Sequence, residues 1–262
     1  MGKLENLNRD QTMNIALKIG KLLLKSGAET YRVEDTMNRI CNHFGVFDVG
    51  VFVTPTIIIF GDEYTNGQTM VVRITYRSTN LSNISFVNNF SYNIDSWDKD
   101  YEETMAFLEQ KLEEKPPYPN DMLCVASGLG SAGFASMLGG NSHDFLAAFL
   151  TGALAMILLK VLGGYRPSAF WENVLAGACI GAVAIFCCAM SIQCTMANII
   201  VGAVMPFVPG VAFTNGLRDF MAGDLVSGNS RISEALLFAI SIAIGLGSSL
   251  LAWYHWGWEL WR

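Results

Sequence analysis

Charge is scarce in the second half of this sequence. Residues 121–262 hold 5 Lys/Arg and 7 Asp/Glu, against 12 and 16 in residues 1–120. A single soluble globular domain would not divide this way, and a disordered chain would not be so apolar. A basic stripe is also missing and the formal net charge is -6, which argues against nucleic-acid binding. The six cysteines (Cys41, Cys124, Cys179, Cys187, Cys188, Cys194) form no C-x-x-C pair, so a zinc site is not expected and the thiols read as small buried hydrophobes. The N-terminal MGKLENLNRDQTMN has no apolar core of a signal peptide, and Asn6 stands where N-myristoylation needs Ser or Thr. There is no Walker motif, no G-x-S-x-G and no H-E-x-x-H, and histidine is limited to His43, His143 and His255.

What the second half does have is long apolar runs. Five fit membrane crossings of about 20 residues: Met122–Gly140, Phe145–Gly163, Asn173–Ser191, Ala197–Phe213 and Ala235–Tyr254. Their interiors are rich in small residues, with Ser127 and Ser131 four apart and Ser241, Gly245 and Ser249 at the same spacing. Such stripes let helices approach closely in lipid. Polar hinges separate the runs, among them Asn141–Asp144 and Thr214–Glu234.

Basic residues alternate between the hinges. Lys111 and Lys115 precede the first run, the second hinge (Lys160–Glu172) holds Lys160 and Arg166, and Arg218 and Arg231 follow the fourth run, while the first and third hinges have none. By the positive-inside rule the N-terminal domain is cytoplasmic and the C-terminus extracytoplasmic. The aromatic tail Trp253–Trp258 suits a helix end at headgroup depth.

The fourth run contains Pro206, Pro209 and Gly210, all unfavourable to a continuous helix. Pro206 lies ten residues in, about 15 Å along and so near the middle of a ~30 Å core. Broken helices at that depth free backbone groups and line binding sites in transporters, although a packing kink would look the same. Asn215, Arg218, Asp219 and Asp224 follow and would stand at the inner mouth of a pathway, or on a solvated loop; an arginine there suits a carboxylate.

Residues 1–118 read as an α+β domain. Helices are expected over Asp10–Lys25, Thr30–Phe44 (Thr30 fitting an N-cap), Leu81–Ile94 and Trp97–Lys115, and strands over Val49–Thr54, Thr56–Phe60 and Thr69–Thr75. A turn-rich link spans Gly61–Gly67, and Glu113–Pro119 leads to the membrane half at 119–262. The most distinctive stretch of this half is SGAETYRVEDT, residues 26–36, with Asp35 and Arg39 at helical i, i+4 spacing. A solvated helix face accounts for it as readily as a carboxylate acid/base site does, and no His or Ser partner stands at helical spacing.

SGAETYRVEDT, then a short β region, apolar spans and PFVPG…TNGLRD…GD..SG..R, resembles the threonine/serine exporter family, in its YjjP-like half-transporter branch, from about residue 12 to 254. The resemblance implies export of small polar metabolites, threonine and serine or a dicarboxylate such as succinate, driven by the proton gradient at the cytoplasmic membrane. The family's recurrent residues fall on Gly27, Glu29, Thr30, Arg32, Glu34 and Asp35, and on Pro209, Gly210, Asn215, Arg218, Asp219, Asp224 and Gly228. Fused members carry about ten spans and this chain five, so a YjjB-like second membrane subunit is expected as partner, with room for several copies of each chain.

The expectation is therefore an α+β cytoplasmic domain followed by a bundle of five transmembrane helices, acting as a secondary exporter subunit, with no cofactor, no metal and no catalytic residue. The alternative is a membrane-anchored hydrolase with the Glu29/Glu34/Asp35 region catalytic. A sensor or scaffold is the third reading, and five Gly-rich spans with a broken helix exceed what a simple anchor requires.

Overall fold

The computed structural model describes residues 4, 7–62, 69–114, 118–163, 168–190 and 193–257. Most of the turn expected at 61–67, part of the link at 113–119, Arg166 and the tail from Trp258 lie outside them.

The chain divides into two compact units. The first comprises Met1–Pro116 and Val211–Ile232, the second Pro117–Gly210 and Ser233–Arg262.

In the first unit, α1 (Arg9–Lys25) starts at a reciprocal cap, in which Asn8 accepts from the Gln11 N–H and Gln11 accepts from the Asn8 N–H. Its buried face, including Ile15, Ile19, Leu22 and Leu23, faces α2 (Thr30–His43), which buries Val33, Met37 and Ile40. Glu29, not Thr30, holds the N-cap of α2, and its side chain makes no capping bond. A three-stranded antiparallel meander follows: β1 (Val49–Thr54), β2 (Ile57–Asp62) and β3 (Thr69–Arg73). Alternation sends Val53, Ile58 and Phe60 into the core and leaves Phe52, Ile59 and Val71 on the open face. Two helices complete the core, α3 (Leu81–Tyr92) and α4 (Tyr101–Glu113), the latter with an Asp100/Glu103 capping box. Trp97 packs edge-on to Phe90 and donates Nε1–H to Thr104 at 2.8 Å.

The second unit holds α5 (Asn120–Met137), α6 (Ser142–Gly163), α7 (Ala169–Met190) and α8 (Met196–Val204), with a 3-10 turn at Met205–Phe207. Two more helices start in residues 210–232: α9 (Gly210–Met221), and α10 (Leu225–Ala252), whose later turns belong to the second unit. Three helices among the described residues are long and apolar enough to cross a membrane: Ser142–Gly163, Ala169–Met190 and Leu225–His255. The interrupted pair at 196–221 makes four if taken as one. The expected first crossing forms a helix, α5, but Asn120, Asp121 and many Gly and Ser keep it out of that group.

The small-residue stripes are contact lines. A Cβ on Gly202 would fall 2.6 Å from the Ser131 carbonyl, and Cβ atoms on Gly177 and Gly245 would overlap the Ile242 and Val174 carbonyls. The expected hinge at Asn141–Asp144 is an exposed segment fastened through one buried side chain, Asp144. Asp144 accepts from the Thr195 N–H at 2.6 Å, Asn198 at 3.2 Å and the Asn141 N–H at 3.2 Å, and Asn141 donates to the Gln193 carbonyl at 2.7 Å.

Residues 214–234 are not the loop their glycines suggest. Gly223, at φ +91°, ends α9, and Asp224 accepts from the Ser227 N–H at 3.0 Å as α10 begins. Gly228 sits in the second turn of α10, where a Cβ would press on the Phe220 ring at 2.7 Å and the Gly216 carbonyl at 3.0 Å. These glycines serve helix contact. Of the cysteines, only Cys41 is fully buried, where desolvation pushes its thiol up to about 12; the other five are half-buried, and all six are free.

Candidate functional site

The first unit brings the two motif stretches together. The turn between α1 and α2 is fixed by Gly27, at φ +84°, where a Cβ would also meet the Ser78 carbonyl at 3.3 Å. Backbone bonds from Ser78 to the Lys25 carbonyl (2.9 Å) and from Asn80 to the Ser26 carbonyl (3.0 Å) pin it from one side. Side chains of α9 and α10 hold it from the other. Asn215 donates to the Gly27 carbonyl at 3.0 Å and Arg231 to the Ala28 carbonyl at 2.7 Å.

The start of α2 is capped from a distance. Asp219 accepts the Thr30 N–H at 3.2 Å, and Asp224 accepts the Thr30 hydroxyl at 3.0 Å. A carboxylate at a helix N-terminus meets unpaired N–H groups and the positive end of the helix dipole. This supplies what the Glu29 side chain does not. Asp224 thus serves two helices, α2 through Thr30 and α10 through Ser227.

Arg231 Nε stands 3.0 Å from Asp219 Oδ2, and both side chains are buried, at 5% and 0% exposure. Glu29 is nearly as buried. Its Oε1 accepts from Arg218 at 2.6 Å, and its Oε2 lies 3.4 Å from Arg32 Nε. Burial pushes the Glu29 carboxyl up, but its own backbone N–H, the Arg218 bond and the charges of Arg32 and Arg218 outweigh it and hold it below its ordinary value. Glu34 goes the other way. Burial raises it, the Val53 N–H at 2.8 Å lowers it, and the nearby Asp224 and Asp219 raise it, so it ends above its ordinary value. Ser227 donates to the Val53 carbonyl at 3.2 Å, so both edge groups of that β1 residue are held by side chains.

Gly27, Glu29, Thr30, Arg32 and Glu34 thus meet Asn215, Arg218, Asp219 and Asp224. Asp35 stands apart on the exposed face of α2, paired with Arg39, whose guanidinium lies 4.0 Å over the Tyr92 ring. Pro206 lies in the 3-10 turn after α8, while Gly210 opens α9 and has open space around its Cβ position. Beside the break, Val204, Val208, Pro209, Ala239, Ile242 and Leu246 line an apolar cavity of about 170 Å³. No charged side chain lines it, so any polar recognition at the break falls to backbone groups. In the sequence Arg231 counts only as a hinge charge, and Ser227 has no assigned role. Their signal was the terminal Arg and the Ser of GD..SG..R, masked by the reading of that stretch as a loop. Among the described residues no three His, Cys, Asp or Glu are placed to hold a metal ion.

Residues 14–252 match the threonine/serine exporter family, ThrE. The chain belongs to that family. The two motif stretches that meet in the first unit lie within the matched residues. A probable threonine/serine exporter of Mycobacterium tuberculosis is 22% identical over 253 residues, covering 95% of this chain and 47% of that protein. The threonine/serine exporter of Corynebacterium glutamicum is 23% identical, covering 90% and 50%. The chain thus spans about half the length of these two relatives. A probable succinate transporter subunit, YjjP, of Klebsiella aerogenes is 22% identical and is matched nearly end to end, at 93% and 95%. No solved structure matches the chain. The family is one of membrane transporters, not enzymes, and this overturns the hydrolase alternative.

Proposed function

We propose that this exporter-family chain is one membrane subunit of a secondary exporter of small polar carboxylates, threonine and serine or a dicarboxylate such as succinate. It is coupled to the proton gradient and works with a second, YjjB-like membrane subunit. The observation that carries the reading is the meeting of Gly27–Glu34 with Asn215–Arg231 in one polar cluster that includes two partly exposed arginines. Arginine is the side chain suited to a carboxylate, the group these metabolites share. Full-length similarity to a protein named as a transporter subunit supports a partner chain. Glu34, raised and close to Asp219 and Asp224, is a carboxyl of this cluster suited to carrying a proton.

In this reading residues 1–118 form a cytoplasmic domain and residues 119–262 provide five crossings in the plasma membrane. The compact unit that joins 211–232 to the N-terminal residues favours one side of the membrane for both. An even number of crossings, α5, α6, α7 and a fourth that begins with α8 and is completed beyond the break, then lies between residue 118 and Arg218. The testing experiment is efflux of preloaded radiolabelled threonine, serine and succinate from cells expressing the chain with and without its partner. Efflux of one of these only when both chains are present, collapsing with a protonophore, is expected. Full efflux from the chain alone in liposomes overturns the partner, and no efflux of any carboxylate from the pair overturns the substrate class.

A further inference from the structure

Two guanidinium groups hold one carboxylate. Glu29 offers Oε1 to Arg218 at 2.6 Å and Oε2 to Arg32 at 3.4 Å. Exposure is uneven across this triad: the Glu29 side chain is 7% exposed, Arg32 42% and Arg218 60%. A guanidinium carries five N–H donors, and each arginine spends one nitrogen on Glu29. The other nearby acids are engaged elsewhere: Asp219 with Arg231 and Thr30, Asp224 with Thr30 and Ser227, Glu34 with Val53. Two positive forks, partly open to solvent, therefore face a single anion.

We infer that Arg32 and Arg218 form a docking pair for the carboxylate of a small soluble metabolite, and that Glu29 is a built-in competitor holding both forks until that carboxylate arrives. The choice of ligand rests on the exporter reading; the geometry of the forks does not. Because Glu29 is held below its ordinary value it stays ionised at neutral pH, so the contest is between two anions and is not set by pH. An incoming carboxylate that displaces Glu29 from the two forks need not break the fold, since the turn keeps its separate bonds from Asn215 and Arg231 to the Gly27 and Ala28 carbonyls.

The test is equilibrium binding calorimetry on the full-length chain in nanodiscs of neutral lipid, with succinate, L-threonine and inorganic phosphate as probes. Glu29→Gln keeps the shape and removes the competing charge. It should bind succinate or threonine about tenfold tighter than the natural chain, the difference expected between a charged and a neutral partner at the forks. Arg218→Gln or Arg32→Gln added to it should abolish the gain. Glu29→Asp, which keeps the charge but draws it back from the forks, should give a smaller gain and serves if the Gln variant does not fold. Unchanged or weaker carboxylate binding in a variant that melts like the natural chain overturns the inference. So does an equal gain for phosphate, or a gain seen only when anionic lipid is added to the disc. Binding is read without efflux or partner, so failure of the exporter reading and failure of this inference give different results.

Discussion

At the scale of single residues, the cluster shows why a charge pattern is a poor guide to exposure. The side chains of Glu29, Asp219 and Arg231 are all at most 7% exposed, although each lies in a stretch whose composition suggests a solvated surface. What buries them is long-range pairing across about 190 residues of sequence, which local spacing cannot reveal. The i, i+4 pair Asp35–Arg39 was legible because helical spacing alone brings it together, and it is the pair that stays at the surface. The buried Asp219–Arg231 pair sets a sharp expectation. Asp219→Asn removes the carboxylate beside the buried Arg231 guanidinium and weakens the distant cap on α2. It should cost about 3–5 kcal/mol, read as a lowered unfolding midpoint of the purified chain. The double variant Asp219→Leu with Arg231→Met should recover much of that loss, because replacing both charges removes the desolvation penalty. A single variant as stable as the natural chain would show that the pair carries no such strain.

At the scale of elements, the N-terminal helices and strands were legible almost to their ends, because amphipathic period and capping residues act locally. Asn8 with Gln11 and Asp100 with Glu103 cap two starts through neighbouring residues, the second at Tyr101 and not at the expected Trp97. The stretch at 214–234 was not legible, since its glycines signal turns in water and close helix contact here. Gly216 and Gly228 lie where α9 and α10 touch, and only Gly223 turns the chain. The break at Val208–Pro209 was foreseen from its prolines. Its surroundings were not, because a cavity lined by aliphatic side chains depends on which faces of neighbouring helices meet. Pro209→Ala with Gly210→Ala should restore helical backbone there, and the new Cβ at 210 meets open space, so the fold should tolerate it. If the break supplies backbone groups to the transported molecule, efflux per folded molecule should fall at least about tenfold. Efflux held at the natural rate, with only expression or melting changed, would reduce the break to a packing kink.

At the scale of the whole molecule, helix lengths and the positions of basic residues make one topology self-consistent. α6 and α7 have 22 residues each, about 33 Å at 1.5 Å per residue, enough for a ~30 Å core. α5, at 18 residues, reaches about 27 Å and can cross with little mismatch. The helix of α8 and its 3-10 turn rises only about 20 Å, so a fourth crossing has to draw on residues beyond the break. In the proposed topology Arg218 and Asp219, which the N-terminal motif binds, stand at the end of α9 away from the break. In the topology proposed above, four crossings return the chain to the side it started from, and α10 is the fifth. The same proposal takes the starting side as the cytoplasm, from the basic residues in alternate hinges. A reporter fused after Arg262 should then be active only if it functions outside the cytoplasm, as alkaline phosphatase does, and one fused before Met1 only if it functions inside. Cytoplasmic activity at both ends would mean an even number of crossings. The three helices that are long and apolar on their own would then be joined by only one further crossing, and either α5 or the 196–221 pair would lie in the membrane without passing through it.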